Sequence, residues 1–317
     1  MITIFSIEFD DSTNQVIDWL DYYSATWKRI NSEDIENEIE IIVKTHDSNQ
    51  LDKKNTVWFR KWRKTTDEIN HETKDVYIEL NKGIEFEQFS NYLFHCHSNG
   101  YWLNHPNNLA YDKITQLNRA KTIGIEIPPT LFTNSKTELL EFIKKYTAII
   151  TKPLNASILV QSRGKNLINY TRIVDKQEIN QLEEYFYPSL FQKFIDKEFE
   201  IRSFYLEGNF YSMAIFSQND ERTKIDFRHY NFEKPNRNVS YQLPKEIEQK
   251  LSRLMKVLRI NSGSLDLIKA KSGEYIFLEV NPLGQFGMTS TPCNYFLEKK
   301  IAQLLINKTN EKQKNNK

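Results

Sequence analysis

The stretch GSLDLIKAKSGEYIFLEVN, residues 263–281, reads as two strands joined by a turn. Ser264 to Ala270 and Tyr275 to Asn281 have strand composition, and Ser272-Gly273 between them is a turn dipeptide. A two-residue loop at Ser272-Gly273 makes Lys271 face Glu274. Counting back along both strands then sets Asp266 directly opposite Glu279, with Cβ atoms about 5 Å apart. Asn281, two residues past Glu279, projects from the same face. Opposed carboxylates repel each other, and a divalent cation between them removes that conflict. Two carboxylates and an amide oxygen are hard donors, which suit Mg²⁺ rather than zinc or copper. The alternative is a pair of solvent-facing acids neutralised by Lys269 or Lys271, although both lysines fall on pairing positions away from the acids. The reading depends on register, because a one-residue slip would turn Glu279 to the opposite face.

The 317-residue chain around this hairpin carries 43 Lys+Arg against 42 Asp+Glu, a formal net charge of +1. Its length suits a globular protein of two or three parts. The even charge balance lacks the basic excess of a protein that binds nucleic acid by bulk charge. Cys96 and Cys293 are the only cysteines, too few for a disulfide framework or a cysteine zinc site. The start, Met1-Ile2-Thr3-Ile4-Phe5-Ser6, has no basic stretch leading into an apolar one, so no secretory signal is expected. No run reaches the roughly 18 apolar residues of a membrane span. These features lead us to expect a soluble, cytoplasmic protein that engages neither membrane nor nucleic acid.

Short strands and amphipathic helices alternate along the chain, as in an α/β or α+β protein. Ile2 to Ser6 reads as an opening strand, followed by a helix capped near Ser12 with Val16, Ile17, Leu20 and Tyr23 on one face. Ile39 to Val43 reads as a strand within an acidic stretch. The cluster Arg60-Lys61-Trp62-Arg63-Lys64 reads either as a solvated segment lying over aromatics or as a contact surface for an acidic peptide. Pro128-Pro129 punctuates the chain after a helix ending near Gly124. Ser135 to Glu138 is a capping box, and a second one, Asp175 to Glu178, predicts a helix through Tyr187. Pro244 suits the first turn of a helix carrying Ile247, Leu251, Leu254 and Leu258. The Asn/Lys-rich tail after Ile306 is expected to fray. His95-Cys96-His97 suggests a metal cluster, but adjacent strand positions alternate faces and no third ligand is evident.

Taken together these segments resemble the ATP-grasp superfamily of carboxylate–amine or carboxylate–alcohol ligases. Asp266 … Glu279-Val280-Asn281-Pro282 matches its metal-binding pattern. Asp112-Lys113, Gly124 and Ile127-Pro128-Pro129-Thr130 look like the helix and turn leading into its central domain. Ile150-Thr151-Lys152-Pro153 looks like the strand whose lysine reaches nucleotide phosphate. Phe191-Gln192-Lys193-Phe194-Ile195 looks like the hinge that holds adenine, and Glu200-Ile201-Arg202 like the strand whose acid meets the ribose. The resemblance implies an N-terminal α/β pre-grasp domain over 1–110, a central subdomain over 111–190 and a C-terminal antiparallel-sheet subdomain over 191–317.

Within the superfamily the chain resembles the microviridin-type (graspetide) peptide macrocyclases. The likeness rests on Asp226-Phe227-Arg228 after Ser217 and Thr223-Lys224, and on Asn281-Pro282-Leu283-Gly284-Gln285-Phe286. Asp11-Ser12-Thr13, Val16 to Leu20 and Asn104-His105-Pro106 further resemble the grasp-with-spasm maturases. The likeness implies ATP and Mg²⁺, a ribosomal precursor peptide with leader and core as partner, and often a homodimer. It implies phosphorylation of a peptide carboxylate, followed by attack of a hydroxyl or amine of the same peptide on the acyl phosphate. Asp266, Glu279 and Asn281 would hold Mg²⁺, and Lys113 and Lys152 would neutralise phosphates. Gln192, Lys193, Phe194, Ile195 and Glu200 would bind the nucleoside. Arg228 would contact the acyl phosphate, with Arg202 sharing that work; an ion pair with Asp226 is the other reading for Arg228. The segment Asn155 to Lys165 departs from the glycine-rich phosphate loop, holding Gly164 alone with Arg163 and Lys165 beside it. An intermolecular ligase adding an amino acid to a protein or small acid stays open, as does a nucleotide-binding regulatory module.

Overall fold

The computed structural model describes residues 1–37, 55–62, 76–109, 111–154, 159–162, 165–168 and 170–314. The chain divides into two compact units, Met1–Leu109 with Gln285–Ser290 and Phe296–Lys317, and Ala110–Gly284 with Thr291–Tyr295.

The first unit opens with β1 (Ile2–Ser6), α1 (Asp11–Tyr22), β2 (Trp27–Asn31), α2 (Asp34–Asn37), β3 (Thr56–Phe59), α3 (Val76–His95) and β4 (Tyr101–Leu103). Its sheet is parallel, in the order β2-β1-β3-β4. Such a sheet is covered on both faces, and every residue of β1 and β3 is accordingly buried. The helix expected to start near Ser12 is capped two residues earlier, where Asp10 Oδ2 accepts from the Thr13 amide at 3.0 Å. Asp10 has a second task. Arg60 Nε lies 3.2 Å and Lys61 Nζ 2.8 Å from its carboxylate. Burial alone would raise the Asp10 carboxyl, but Arg60, Lys61 and Thr13 together hold it below the ordinary aspartate value. Arg60 is 3% exposed and Trp62 packs edge-on against Phe5. Neither reading of the basic cluster therefore holds for Arg60, which is an internal partner of the α1 cap. Arg63 and Lys64, like the expected strand Ile39 to Val43, lie outside the described residues.

His95 ends α3 rather than lying in a strand. Cys96 is buried and free, and His97 packs edge-on against Phe5 and Trp102. Among the described residues no three His, Cys, Asp or Glu gather into a metal cluster.

The second unit begins with α4 (Lys113–Thr122), β5 (Thr130–Ser135), α5 (Lys136–Lys145), β6 (Ile149–Lys152), β7 (Leu159–Ser162), β8 (Lys165–Ile168), β9 (Arg172–Ile173), α6 (Lys176–Gln181) and β10 (Tyr185–Lys193). The strands make a four-stranded antiparallel sheet, β5-β10-β6-β9, and the hairpin β7-β8. The helix predicted from Asp175 through Tyr187 stops at Gln181. The aromatic run Tyr185-Phe186-Tyr187 instead joins β10, where sheet pairing with β5 outweighs the helical start signal. Leu139, Ile149, Ile179 and Phe191 fill the core of this part.

Next come β11 (Lys197–Leu206), β12 (Asn209–Phe216), β13 (Arg237–Tyr241), α7 (Lys245–Val257), β14 (Ser262–Ala270) and β15 (Tyr275–Asn281). They form a second antiparallel sheet, β13-β12-β11-β14-β15. One face carries Phe199, Ile201, Leu265, Leu267, Phe277 and Val280 against Leu117 of α4 and Leu251, Leu254 and Met255 of α7. That apolar packing leaves the other face free for polar chemistry.

The chain closes with α8 (Gly287–Cys293) and α9 (Leu297–Lys314). The tail expected to fray is helical as far as Lys314, tied back where Thr309 Oγ1 meets Thr56 Oγ1 at 2.8 Å. Among the described residues no helix is long and apolar enough to cross a membrane.

Breaking the ion pair at Asp10 takes the carboxylate away from a buried guanidinium and removes a helix cap. Asp10→Ala should therefore lower stability by about 3–5 kcal/mol, read as an earlier urea midpoint.

Candidate active site

β14 and β15 bring Asp266 opposite Glu279 and Ser264 opposite Asn281. The pairing expected from the sequence is present, but the loop is not the one assumed. Ala270 N donates to Glu274 O at 3.0 Å and Gly273 N to Ala270 O at 2.9 Å. The loop is thus Lys271-Ser272-Gly273, with Gly273 at φ +105°. One extra loop residue would slide Glu279 out of position. A bulge restores it: Asp266 pairs with Glu279 while Leu267 pairs with Phe277, so Leu278 has no partner of its own. The bulge also explains why Phe277 and Val280, three apart, share one core face. Past the strand the backbone of Asn281 and Pro282 folds close over Gly263, where a Cβ would sit 3.0 Å from Pro282 Cα. Asp266, Glu279 and Asn281 consequently share one sheet face.

Four cations surround the two acids. Lys113 opens α4, which Asp112 caps; its Nζ lies 2.8 Å from Glu279 Oε2 and donates to Pro153 O at 2.9 Å. Arg202, directly across from Asp266 on β11, donates from Nη1 to both aspartate oxygens at 3.0 and 3.2 Å. The repulsion between the acids is thus relieved by Arg202 and Lys113, not by Lys269 or Lys271. Lys152 ends β6, and burial, helped by Lys113 and Arg228, pushes its ammonium down to about 8 against the pull of Glu279 and Asp266. Arg228 forks onto Asp226, Nε to Oδ1 at 2.8 Å and Nη2 to Oδ2 at 2.6 Å. That hydrogen-bonded pair raises the guanidinium above its ordinary value.

The two acids titrate in opposite directions. Burial raises the Asp266 carboxyl, with Glu279 adding to the rise and Arg202 opposing it. Burial acts on Glu279 as well, but Lys113 and Lys152 overcome it and hold the carboxyl below the ordinary value. Two carboxylates and an amide oxygen amid cations fit a hard ion that keeps some waters and shares its shell with phosphates.

The hinge residues Gln192 and Lys193 close β10, with Phe194 and Ile195 after them. Gln192 is fully buried; its Nε2 donates to Thr130 Oγ1 at 2.9 Å, while Oε1 has no hydrogen-bond partner among the described residues. Lys193 N donates to Pro129 O and Phe194 N to Ala148 O, both at 2.9 Å, so these amides are engaged within the protein. An open cleft of about 630 Å³ beside them is lined in part by Phe194, Ile195 and Ile276. Ile268, Ala270 and Ile276, with Ile195 and Leu278 packed on them, form an apolar cluster next to the acids. Sequence reasoning passed over Ile268 and Ala270, although they follow Asp266 at the two-residue spacing of its face.

Glu200 is buried near Asp226, and Oε1 accepts from Lys197 Nζ at 2.6 Å and Ser217 Oγ at 2.9 Å. Burial raises its carboxyl despite Lys197. Arg163, Gly164 and the side chain of Lys165 lie outside the described residues.

No protein-family model and no curated protein matches the chain. Solved structures do. The macrocyclase MdnC of Microcystis aeruginosa MRC, bound with precursor peptide MdnA, is 25% identical, with TM-score 0.81 over 97% of this chain and 99% of that one. A RiPP-associated ATP-grasp ligase of Chryseobacterium gregarium, in complex with ADP and a leader and core peptide, is also 25% identical, with TM-score 0.79 over 97% and 96%. The ATP-grasp ligase PsnB, complexed with minimal precursor, Mg and ADP, shares the fold at TM-score 0.80 with 16% identity, covering 97% of each chain.

A lysine poised near 8 makes anion binding pH-dependent. Lys152 is charged below about 8 and neutral above it, so inorganic triphosphate should bind more weakly as pH rises through that value. Lys152→Arg, which stays protonated, should flatten the dependence in calorimetric titrations.

Proposed function

The chain belongs to the ATP-grasp ligases, in their graspetide group, and we propose on that footing that it is an ATP-dependent peptide macrocyclase. Its substrate would be a ribosomal precursor peptide with a leader and a core. An Asp or Glu side chain of the core attacks the γ-phosphate of ATP and becomes an acyl phosphate. A Ser or Thr hydroxyl, or a Lys amine, of the same peptide then attacks the acyl carbon and expels phosphate. The product is an ω-ester or ω-amide ring. A bare carboxylate is a poor acyl donor because its leaving group would be oxide or hydroxide, and phosphorylation supplies a better one.

The observation that carries this reading is the cross-strand pair Asp266 and Glu279 with Lys113, Lys152, Arg202 and Arg228 around it. Asp266, Glu279 and Asn281 would hold Mg²⁺, which when bound offsets charge on the phosphates. Arg202 opposes the rise that burial causes in the Asp266 carboxyl and aims it. Lys113 orients Glu279, and with Lys152 presents positive charge to the triphosphate. Gln192, Lys193, Phe194 and Ile195 would line the adenine side, with Ile268 and Leu278 as its apolar floor. Glu200 would meet the ribose through the oxygen that Lys197 and Ser217 leave open. Arg228, with the more exposed guanidinium of its pair, would bind the acyl phosphate while Asp226 keeps the fork in plane. Catalysis of this kind is positioning and charge stabilisation.

We place the enzyme with the grasp-with-spasm maturases and in the cytoplasm, on the motifs quoted above and on its two free cysteines. The division at about residues 110 and 190 belongs to the same reading.

Incubation with ATP, Mg²⁺ and a precursor peptide encoded by an adjoining reading frame should remove one water mass per ring and release ADP only when peptide is present. An added residue mass would instead mark an intermolecular ligase, and no peptide-dependent ADP release would remove the enzyme assignment altogether. Glu279→Gln should leave the far-UV spectrum intact and abolish Mg²⁺-dependent turnover. Arg228→Ala should cut ring formation by about a hundredfold to a thousandfold with ATP affinity retained; weaker ATP binding with normal saturated turnover would show that its role is wrong.

A further inference from the structure

Arg228 lies in the connection between β12 and β13, and buried polar groups on β11 grip that connection from beneath. In an unbroken strand residues i and i+3 point to opposite faces, so Lys197 and Glu200 should not meet. They form an ion pair at 2.6 Å because β11 is bulged at its start. Lys197 pairs with Ala270 while Phe199 pairs with Lys269, leaving Glu198 without a partner and exposed. The extra residue turns Lys197 onto the face that bears Glu200, Arg202 and, across the sheet, Asp266.

Both partners are nearly inaccessible, with side chains 4% and 9% exposed. Lys197 Nζ also donates to Ile225 O at 3.1 Å. Glu200 Oε1 receives the Ser217 hydroxyl at 2.9 Å. These two bonds hold the first half of the connection at its ends, residues 217 and 225. Thr223, fully buried, closes the turn between them by donating to Ser217 O at 2.8 Å. Asp226 follows Ile225 directly, takes the Arg228 fork, and accepts from the Thr171 amide at 3.1 Å. An unbroken line of contacts thus runs from Lys197 to the arginine: ammonium, Ile225 carbonyl, Asp226 carboxylate, guanidinium.

Taking Arg228 as the group that meets the acyl phosphate, as proposed above, we infer that Lys197 is a positioning residue for Arg228. The bulge aims its ammonium, Glu200 and Ser217 hold it in the sheet, and the Ile225 carbonyl transmits its placement to the arginine. A loosened Arg228 leaves acyl phosphate formation possible but lets the intermediate lose phosphate to water before the ring closes.

The test uses Lys197→Met and the milder Ser217→Ala, each alone and combined with Arg228→Ala. Amide exchange across residues 217–231 without ligands reads placement directly and needs no activity. It should quicken by about tenfold or more in both single variants while β14 and β15 keep their protection. In turnover at saturating ATP, ADP released per ring should rise above one. Adding Lys197→Met or Ser217→Ala to Arg228→Ala should cost ring formation nothing further, the mark of residues acting through one another. Unchanged exchange in the loop, or a full additional loss in the Arg228→Ala background, would overturn the inference. Ser217→Ala, which removes a single hydroxyl, decides the matter if Lys197→Met does not fold. Wild-type protein that forms no ring defeats the macrocyclase reading alone, since the exchange measurement still decides whether Lys197 and Ser217 hold the loop.

Discussion

Two half-buried carboxylates set face to face across adjacent strands are the constraint to which the second unit answers. Left alone, Asp266 and Glu279 would push the hairpin apart. Each instead has a cation delivered by a different element, Arg202 from the neighbouring strand β11 and Lys113 from the first turn of α4. Removing either cation would leave a half-buried negative charge facing its like, so strand order and the docking of α4 are tied to the electrostatics of one spot. The same arrangement divides labour: Asp266 is lifted by burial while Glu279 is held down by the lysines.

Two of the strands that bear the polar face are irregular where it matters. A strict two-residue repeat would send Leu278 and Glu279 to opposite sides, and likewise Lys197 and Glu200. Single extra residues, Leu278 in β15 and Glu198 in β11, break the alternation. The sheet thereby keeps a continuous apolar face for α4 and α7 while concentrating charged side chains on the other. Irregularities of this sort re-aim side chains beside active sites, and here two of them converge.

How much of this could be read from the chain depends on how local the cause is. The hairpin, Asn281 on its face and the capping residues Ser135 and Asp175 were legible because each signal spans a few residues. The Asp266–Glu279 pairing was reached through a two-residue loop. The true loop is longer and the bulge at Leu278 cancels the difference, so the register came out right for an incomplete reason. Asp10 with Arg60 was not legible, because nothing local says that a basic cluster will close on a helix cap some fifty positions earlier. The Asp175 helix was overextended because a start signal carries no information about sheet partners waiting downstream. Lys197 was invisible for the same reason as the bulge that aims it: a ladder irregularity is fixed by the partner strand, not by the residues that show it.

The outer rim of β15 has a further effect. As the last strand of its sheet it would normally offer a row of unsatisfied amides to any passing extended chain. Val280 N is taken by the Gln116 side chain at 2.8 Å and Phe277 N by the Glu126 carbonyl at 2.8 Å, within a short parallel bridge between Glu126 and Ile276. The acid-bearing hairpin is therefore sealed against β-augmentation. With those two amides engaged, a strand-prone polypeptide finds a broken ladder on that border, and the acid-bearing strand is a poor template for aggregation.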